Sequence, residues 1–207
     1  MIYVLGSPDR KFVKIGFSKK RPVERCEQIE DAHPSPLVLM LVLRGDKSVE
    51  RHFHQRFNAL RARREWFQKA REIEEWLRTD HGVITRPFYE WLLLRRGDAS
   101  PIGTFARDAL EDVSFPKEAM TYLSVEDHLR DRGISWETRE LFDLAWRDFL
   151  RYEVRRALAT VVADDVGGGS AAVPVDDVRA GRLRSTRSEH SRRHAKSGLG
   201  CGSLCHG

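Results

Sequence analysis

Two short apolar runs at the start of the chain are separated by turn-forming residues. The runs cover residues 2–5 and 12–17, and a Gly-Ser-Pro-Asp segment lies between them at residues 6–9. Strand-like runs that flank a turn of this composition are typical of an antiparallel β-hairpin. The pattern therefore predicts that two paired strands begin the chain.

The next segment combines a helical stripe with a long apolar run. Val23, Cys26 and Ile29 recur every three residues, and Pro22 suits the first turn of a helix. Residues 37–43 are then continuously apolar, which is typical of a strand buried on both faces. We predict a helix followed by a strand that is either central in the sheet or covered by helices.

A second helical stripe follows at residues 47–60, where apolar residues recur at intervals of four, four and three. Glu50 and His54 each lie one position beyond a member of this stripe, so they share one edge of the predicted helix. A carboxylate and an imidazole at the border of a core form a candidate site. Residues 61–64 are predicted as a basic loop, and residues 65–67 as the start of a further helical region.

The helical period is interrupted at residues 82–86, which makes this stretch the predicted domain boundary. Beyond it, aromatic residues at helical spacing predict a small all-α bundle. From residue 159 onward the periodic apolar residues stop and Gly, Ser and Arg recur, which is typical of disorder. We therefore predict an α+β domain at 1–81, a helical domain at 82–158 and a disordered basic tail at 159–207.

Composition narrows the class of protein. The 207 residues are 41% hydrophobic and carry a net charge of +5, from 36 basic and 31 acidic side chains. This small excess favours a polyanionic partner without requiring one. Three cysteines do not describe a disulfide framework, and no apolar run is long enough to span a bilayer. Since the N-terminus also lacks the pattern of a signal peptide, we expect a cytoplasmic protein that does not bind membranes.

With these motifs in order, the N-terminal part resembles the GIY-YIG nuclease superfamily, in the phage-type branch described as a DNA-binding domain. Residues 2–4 (Ile-Tyr-Val) stand at the first motif tripeptide, and residues 14–16 (Lys-Ile-Gly) stand at the second. Arg25 on the first predicted helix, Glu50 on the second and a Glu-Trp-Phe segment at residues 65–67 complete the pattern. The resemblance implies a small three-stranded antiparallel sheet flanked by helices.

The resemblance also implies roles in the hydrolysis of a phosphodiester bond in nucleic acid. By this resemblance, Tyr3 is expected to activate the attacking water, Arg25 to stabilise the phosphate and Glu50 to bind one Mg²⁺ or Mn²⁺. To these we add Lys14 as a second cation for the phosphate and His54 as a group that orients or relays a proton. Such cleavage requires removal of a proton from water, cations beside the developing negative charge and usually a hard metal ion held by a carboxylate. A single glutamate suits Mg²⁺, which keeps several of its waters.

Lys14 departs from the superfamily pattern, which has tyrosine at this position. An ammonium group suits a phosphate, but it is protonated near pH 7 and cannot act as a base without strong desolvation. Tyr3 and Arg25 could also have purely structural roles. Tyr3 could pack in the sheet, and Arg25 could form a surface ion pair with Glu24 or Glu27.

The second part of the chain, residues 87–152, resembles the YozE-type SAM-like fold. The resemblance rests on residues 88–92, 101–108 and 112–116 and on Trp146. It implies a small helical module that has no catalytic residues of its own and contacts nucleic acid or protein.

Three functions follow as alternatives. The first is a metal-dependent endonuclease that acts on DNA. The second is a DNA-binding module that has kept the fold without the chemistry, and the third is a scaffold that recruits a protein partner through its helical domain. The sequence leaves open the choice between DNA and RNA, the structure or base sequence recognised, and the oligomeric state.

Overall fold

All strands of the described chain lie before residue 70, and only helices follow them. The computed structural model describes residues 1–19, 21–33 and 35–167, with side chains described as far as residue 160. The strands are β1 (Ile2–Gly6), β2 (Phe12–Phe17), β3 (Val38–Leu43), β4 (Arg61–Arg63) and β5 (Trp66–Gln68). The helices are α1 (Pro22–Asp31), α2 (Lys47–Arg56), α3 (Arg71–Thr79), α4 (Phe88–Leu93), α5 (Pro101–Glu111), α6 (Tyr122–Asp131) and α7 (Trp136–Gly167), with a 3₁₀ turn at Asn58–Leu60.

The five strands form one antiparallel sheet in the order β3-β1-β2-β5-β4. The α+β class is confirmed, whereas the prediction of three strands was wrong. Residues 61–63 and 66–68 form a second hairpin that extends the sheet beyond β2, where we predicted a basic loop and the start of a helical region. The reason is that β4 is an exposed Arg-Ala-Arg strand, which lacks the apolar alternation by which a sequence marks a strand.

Strand β3 lies at an edge of the sheet, yet all six of its residues are buried. Residues that follow the sheet in the chain cover this edge. The indole Nε1 of Trp146 donates a hydrogen bond to the carbonyl oxygen of Met40 at 3.2 Å, and the backbone N–H of Val83 donates to the carbonyl oxygen of Val42 at 2.9 Å. Covering the edge keeps this apolar strand from pairing with other chains. Of the two sequence alternatives, the strand covered by helices is the one observed.

Aromatic side chains fill the core of the helical part. The Phe88 ring lies 5.1 Å from the Trp146 ring and 5.3 Å from the Phe149 ring, both in tilted arrangements that aromatic pairs favour. Helix α7 packs against α5 and also against β3, so a single helix contributes to the cores of both parts. The described residues accordingly belong to one compact unit.

The domain limits at residues 81/82 and 158/159 stay predictions. Helix α7 continues to Gly167, past residue 158, where we expected the helical domain to end. The remainder of the tail that we predicted to be disordered, up to residue 207, lies outside the described residues. Among the helices that are described, none combines the length and the apolar character needed to cross a membrane.

Candidate active site

Four of the side chains singled out in the sequence line one open pocket of about 600 Å³: Tyr3, Lys14, Arg25 and Glu50. Each comes from a different element, namely β1, β2, α1 and α2. The two strands are paired, α1 packs against β1, and α2 packs against β2. The fold therefore gathers in one place residues that lie far apart in the sequence.

The Tyr3 side chain lies across the sheet over Gly16, its cross-strand partner. Only 3% of Tyr3 is exposed, and it forms part of the pocket wall. A Cβ atom at Gly16 would stand 2.5 Å from Tyr3 Cζ, a distance that side chains do not tolerate. The glycine that ends the second motif therefore leaves the space that the tyrosine of the first motif occupies.

Burial raises the pKa of the Tyr3 hydroxyl to about 12, and the nearby Cys26 and Glu65 act in the same direction. The Arg25 guanidinium opposes them by favouring the charged form. At neutral pH the phenol is therefore uncharged. It can donate a hydrogen bond to a phosphate oxygen or accept one from water, whereas full deprotonation is disfavoured.

Lys14 is paired with a carboxylate that the sequence did not place in the site. Its Nζ forms an ion pair with Glu65, and only 15% of the Lys14 side chain is exposed. The contact depends on the pairing of β2 with β5, which sets Lys14 opposite Trp66. The ammonium group that this chain places at position 14 is therefore partly neutralised.

Arg25 is held by a neighbour on its own helix. Its Nη1 donates a hydrogen bond to Oε1 of Gln28 at 3.2 Å. Glu24 and Glu27, the alternative partners on α1, pair with other arginines. Within the described part of the chain no carboxylate lies within ion-pair distance of the Arg25 guanidinium, so its charge is available to an anion in the pocket.

Glu50 lies in the first turn of α2, which begins at a well-formed cap. The Asp46 carboxylate accepts hydrogen bonds from the backbone N–H of Ser48 at 2.8 Å and of Val49 at 3.3 Å, and this fixes the start of the helix. Glu50 itself is half-buried. Among the described residues it has no cation within ion-pair distance, which makes it the carboxylate of the pocket best placed to bind an ion.

The donor set limits which metal the pocket suits. In the residues described, no group of three or more His, Cys, Asp or Glu side chains is arranged to hold a metal ion. A cation at Glu50 would therefore be bound by one carboxylate and completed by water. This fits Mg²⁺ or Mn²⁺, which accept few protein ligands, and does not fit a structural zinc ion.

His54 does not line the pocket. Its Nε2 lies 2.9 Å from the carbonyl oxygen of Ile15, and its ring packs 5.2 Å from the Phe67 ring. Because the imidazole is engaged by the backbone of β2, it anchors α2 to the sheet one turn after Glu50. His54 thus supports the segment of α2 that carries Glu50, and its expected role of orienting a group or relaying a proton stays a prediction.

Several residues that line the pocket were given no site role from the sequence, and the polar or aromatic ones among them include His33, Lys47, Glu65 and Trp66. The His33 and Trp66 rings lie 6.4 Å apart, and Trp66 is half-buried. The motif gave Glu65 and Trp66 a position without a role. Their place in the pocket depends on the β2-β5 pairing, for which the sequence carried no signal.

Replacing Gly16 by alanine is expected to lower the free energy of unfolding by about 1–3 kcal/mol, because the added methyl group would overlap the buried Tyr3 ring. Urea denaturation measures the change. The matched control is Gly97→Ala, since a Cβ at Gly97 meets nothing within 4 Å, and we expect it to change stability by less than about 0.5 kcal/mol. Equal stabilities of the two variants would contradict the packing of Tyr3 described above.

In comparison with known proteins, two parts of the chain match two different family models. Residues 1–79, which hold all four pocket residues named above, match the T5orf172 domain. Residues 87–151 match the family described as the YozE SAM-like fold. No solved structure matches the chain.

Curated relatives match about a third of the chain. A UPF0346 protein of Oenococcus oeni is 35% identical over 71 residues, which are 33% of this chain and 93% of that protein. A UPF0346 protein of Geobacillus kaustophilus is 36% identical over 69 residues, which are 32% of this chain and 96% of that protein. The resemblance of the helical part to the YozE-type fold is therefore confirmed.

Proposed function

We propose that this chain, which belongs to the UPF0346 family through its helical part, is a DNA-acting protein of GIY-YIG type whose N-terminal part hydrolyses phosphodiester bonds with one divalent metal ion. The observation that carries the proposal is that Tyr3, Lys14, Arg25 and Glu50 line one pocket. The match of residues 1–79 to the T5orf172 domain, which suggests a DNA-binding or nuclease-like module, supports it.

The cations of the pocket bind and polarise the phosphate. Arg25 offers a planar guanidinium that can donate two parallel hydrogen bonds to phosphate oxygens. The Lys14 ammonium adds a point charge, and it exchanges its contact with Glu65 for one with the phosphate, whose negative charge increases as the attacking water adds to phosphorus. Both groups stabilise the negative charge that builds on the phosphate oxygens during hydrolysis.

Glu50 holds the metal. When bound there, Mg²⁺ or Mn²⁺ supplies positive charge to the phosphate oxygens. The Glu50 carboxylate is fixed for this task by the Asp46 cap and by the hydrogen bond of His54 to Ile15, since both constrain α2.

Tyr3 orients the attacking water. Its uncharged hydroxyl accepts a hydrogen bond from water, and the buried ring packed over Gly16 fixes where that hydroxyl stands. Arg25 favours the charged form of the phenol and so increases the small fraction of Tyr3 that is deprotonated. This tyrosinate accepts the proton that the water loses as the bond to phosphorus forms, and Tyr3 becomes the neutral phenol.

A second candidate function is DNA binding without cleavage. One observation favours it: the tyrosine of the second motif is replaced by Lys14, whose ammonium is paired with Glu65. In this case Lys14, Arg25 and the exposed arginines of β4 would hold the backbone of DNA, and Glu50 would have no metal to bind.

A plasmid-nicking assay separates the two candidates. The proposed nuclease converts supercoiled plasmid to the nicked form in Mg²⁺ or Mn²⁺, and a chelator stops the reaction. Arg25→Ala, purified in the same way, is the control for a contaminating nuclease and is expected to nick at least about a hundredfold more slowly. Salt-dependent binding of duplex DNA without nicking in either metal ion would instead establish the second candidate.

A further inference from the structure

A second groove opens at the other end of the β2-β5 pair. It has a volume of about 430 Å³ and is lined by five cationic and three acidic side chains. Strands β2 and β5 and the turn before β2 contribute from the N-terminal part, while α6 contributes Arg130 and α7 contributes Arg139. We call it the distal groove, and neither family match assigns it a role.

The three carboxylates of the distal groove are engaged by the protein. Glu126 is buried and forms an ion pair with Arg10, and Glu74 lies 3.8 Å from Lys69. Asp9 accepts hydrogen bonds within its own turn, from Ser7 Oγ at 2.6 Å and from a backbone N–H at 3.1 Å. Two of the three carboxylates are therefore paired with cations of the fold, and the third is stabilised by neutral hydrogen bonds.

Two lysines of the distal groove stand side by side. The backbone N–H of Lys69 donates a hydrogen bond to the carbonyl oxygen of Lys11 at 2.8 Å, which continues the β2-β5 ladder by one pair. Like charges directly opposite each other on paired strands are destabilising. Lys11 is exposed, and in the described residues neither Lys11 nor Arg139 has a carboxylate within ion-pair distance. Since Lys69, Arg10 and Arg130 are each paired with a carboxylate, the positive charge of the groove that has no partner among the described residues lies on Lys11 and Arg139.

The distal groove is aligned with the active-site pocket. On β2 and β5, Lys14 pairs with Trp66 in the pocket, and the next pair on the same face is Phe12 with Gln68 in the groove. Phe12 is 37% exposed, an unusual state for an aromatic strand residue. Alternate residues of a strand are about 7 Å apart. From Gly16, under Tyr3, to Phe12 the distance is therefore about 13 Å, or about four base pairs of duplex DNA.

We propose that the distal groove binds backbone phosphates of the DNA on one side of the bond held in the active-site pocket, about four or more base pairs away. The inference rests on the proposed function, because it takes the pocket as the site of the scissile bond. Lys11 and Arg139 provide the phosphate contacts, and the Phe12 ring supplies an apolar surface beside them. The helical part of the chain then shares in binding DNA through α6 and α7.

The test is the double charge reversal Lys11→Glu with Arg139→Glu. Binding to a duplex of about 30 base pairs is measured in a chelator, so that no cleavage intervenes, over a range of salt concentrations. We expect the dissociation constant to rise at least about tenfold and the slope of its logarithm against the logarithm of salt concentration to fall by about 2, one unit for each lost phosphate contact. An unchanged dissociation constant and slope would overturn the proposal.

A matched control removes the effect of overall charge. Lys117→Glu with Arg96→Glu reverses one lysine and one arginine that are exposed in the helical part and line neither groove. If this control loses as much affinity as the first double variant, the groove is not a specific contact and the proposal fails. Circular dichroism and thermal unfolding establish that both double variants are folded.

The nicking assay and the DNA-binding measurement together test the proposed function and the distal groove independently. If the wild-type chain does not nick plasmid, and the Lys11→Glu and Arg139→Glu reversals still weaken DNA binding, the proposed nuclease activity is wrong and the proposed role of the distal groove is supported. If the wild-type chain nicks plasmid, but the Lys11→Glu and Arg139→Glu reversals leave its DNA affinity unchanged, the nuclease proposal is supported and the proposed role of the distal groove is wrong.

Discussion

Replacing Glu50 by glutamine is expected to slow metal-dependent nicking by a factor of about 10² to 10³. The amide has nearly the shape of the carboxylate, but it carries no charge and is a weak ligand for a hard cation. Because Glu50 is half-buried and has no ion-pair partner among the described residues, the substitution breaks no contact within the protein. The expected change in stability is below about 1 kcal/mol, mainly from the lost attraction to the start of α2.

Single-turnover nicking at saturating DNA measures the effect of Glu50→Gln, and binding in a chelator measures whether DNA affinity is retained. Glu118→Gln is the matched control, since Glu118 is exposed in the helical part and does not line the pocket, and we expect it to nick at the wild-type rate. If Glu50→Gln nicks as fast as this control, the metal is held elsewhere and the assigned role of Glu50 is wrong.

Replacing Trp146 by alanine is expected to lower the free energy of unfolding by about 3–5 kcal/mol, a large part of the total for a domain of ordinary stability. The indole is fully buried, and it packs on Phe88 and Phe149. Its N–H also satisfies the carbonyl oxygen of Met40 on the edge of the sheet. Because this contact joins α7 to β3, we expect the sheet and the helical core to lose stability together.

Urea denaturation, followed by far-ultraviolet circular dichroism, measures the effect of Trp146→Ala. Trp136→Ala is the control on the same helix, because Trp136 is 66% exposed, and we expect it to cost less than about 0.5 kcal/mol. Trp146→Phe keeps one aromatic ring but removes the N–H and part of the buried indole volume, so its cost should fall between the two. A Trp146→Ala variant as stable as Trp136→Ala would contradict the arrangement of α7 across the edge of β3.

The candidate site could be predicted in part from the sequence. Tyr3, Lys14, Arg25 and Glu50 were named from motif order, and the fold gathers them because the first hairpin and two amphipathic helices were visible as local patterns. His54 was chosen as a site residue because it shares one edge of the predicted helix with Glu50, and that edge was predicted to face a site. The imidazole instead reaches the carbonyl oxygen of Ile15, and such a backbone partner leaves no mark in the sequence.

Local periodicity was sufficient for the elements that bury a stripe of their own side chains. The β1-β2 hairpin, helix α1, the apolar strand β3 and the helical character of the second part all follow from the spacing of apolar residues, because each such stripe must be covered to form a core. The need for glycine at position 16 could not be inferred in this way, since it depends on the tyrosine of the opposite strand.

Only the tertiary structure decided which elements meet. Strand β4 is an exposed Arg-Ala-Arg segment that pairs because β5 offers backbone partners, and backbone hydrogen bonds do not depend on the pattern of side chains. The same pairing brings Glu65 to Lys14, and the position of α7 closes the edge of β3. The sequence by itself determined the residue types available for chemistry and the stripes that drive folding. The register of β5 and the docking of α7 determined which of those residues share a pocket, because both depend on contacts between segments far apart in the chain.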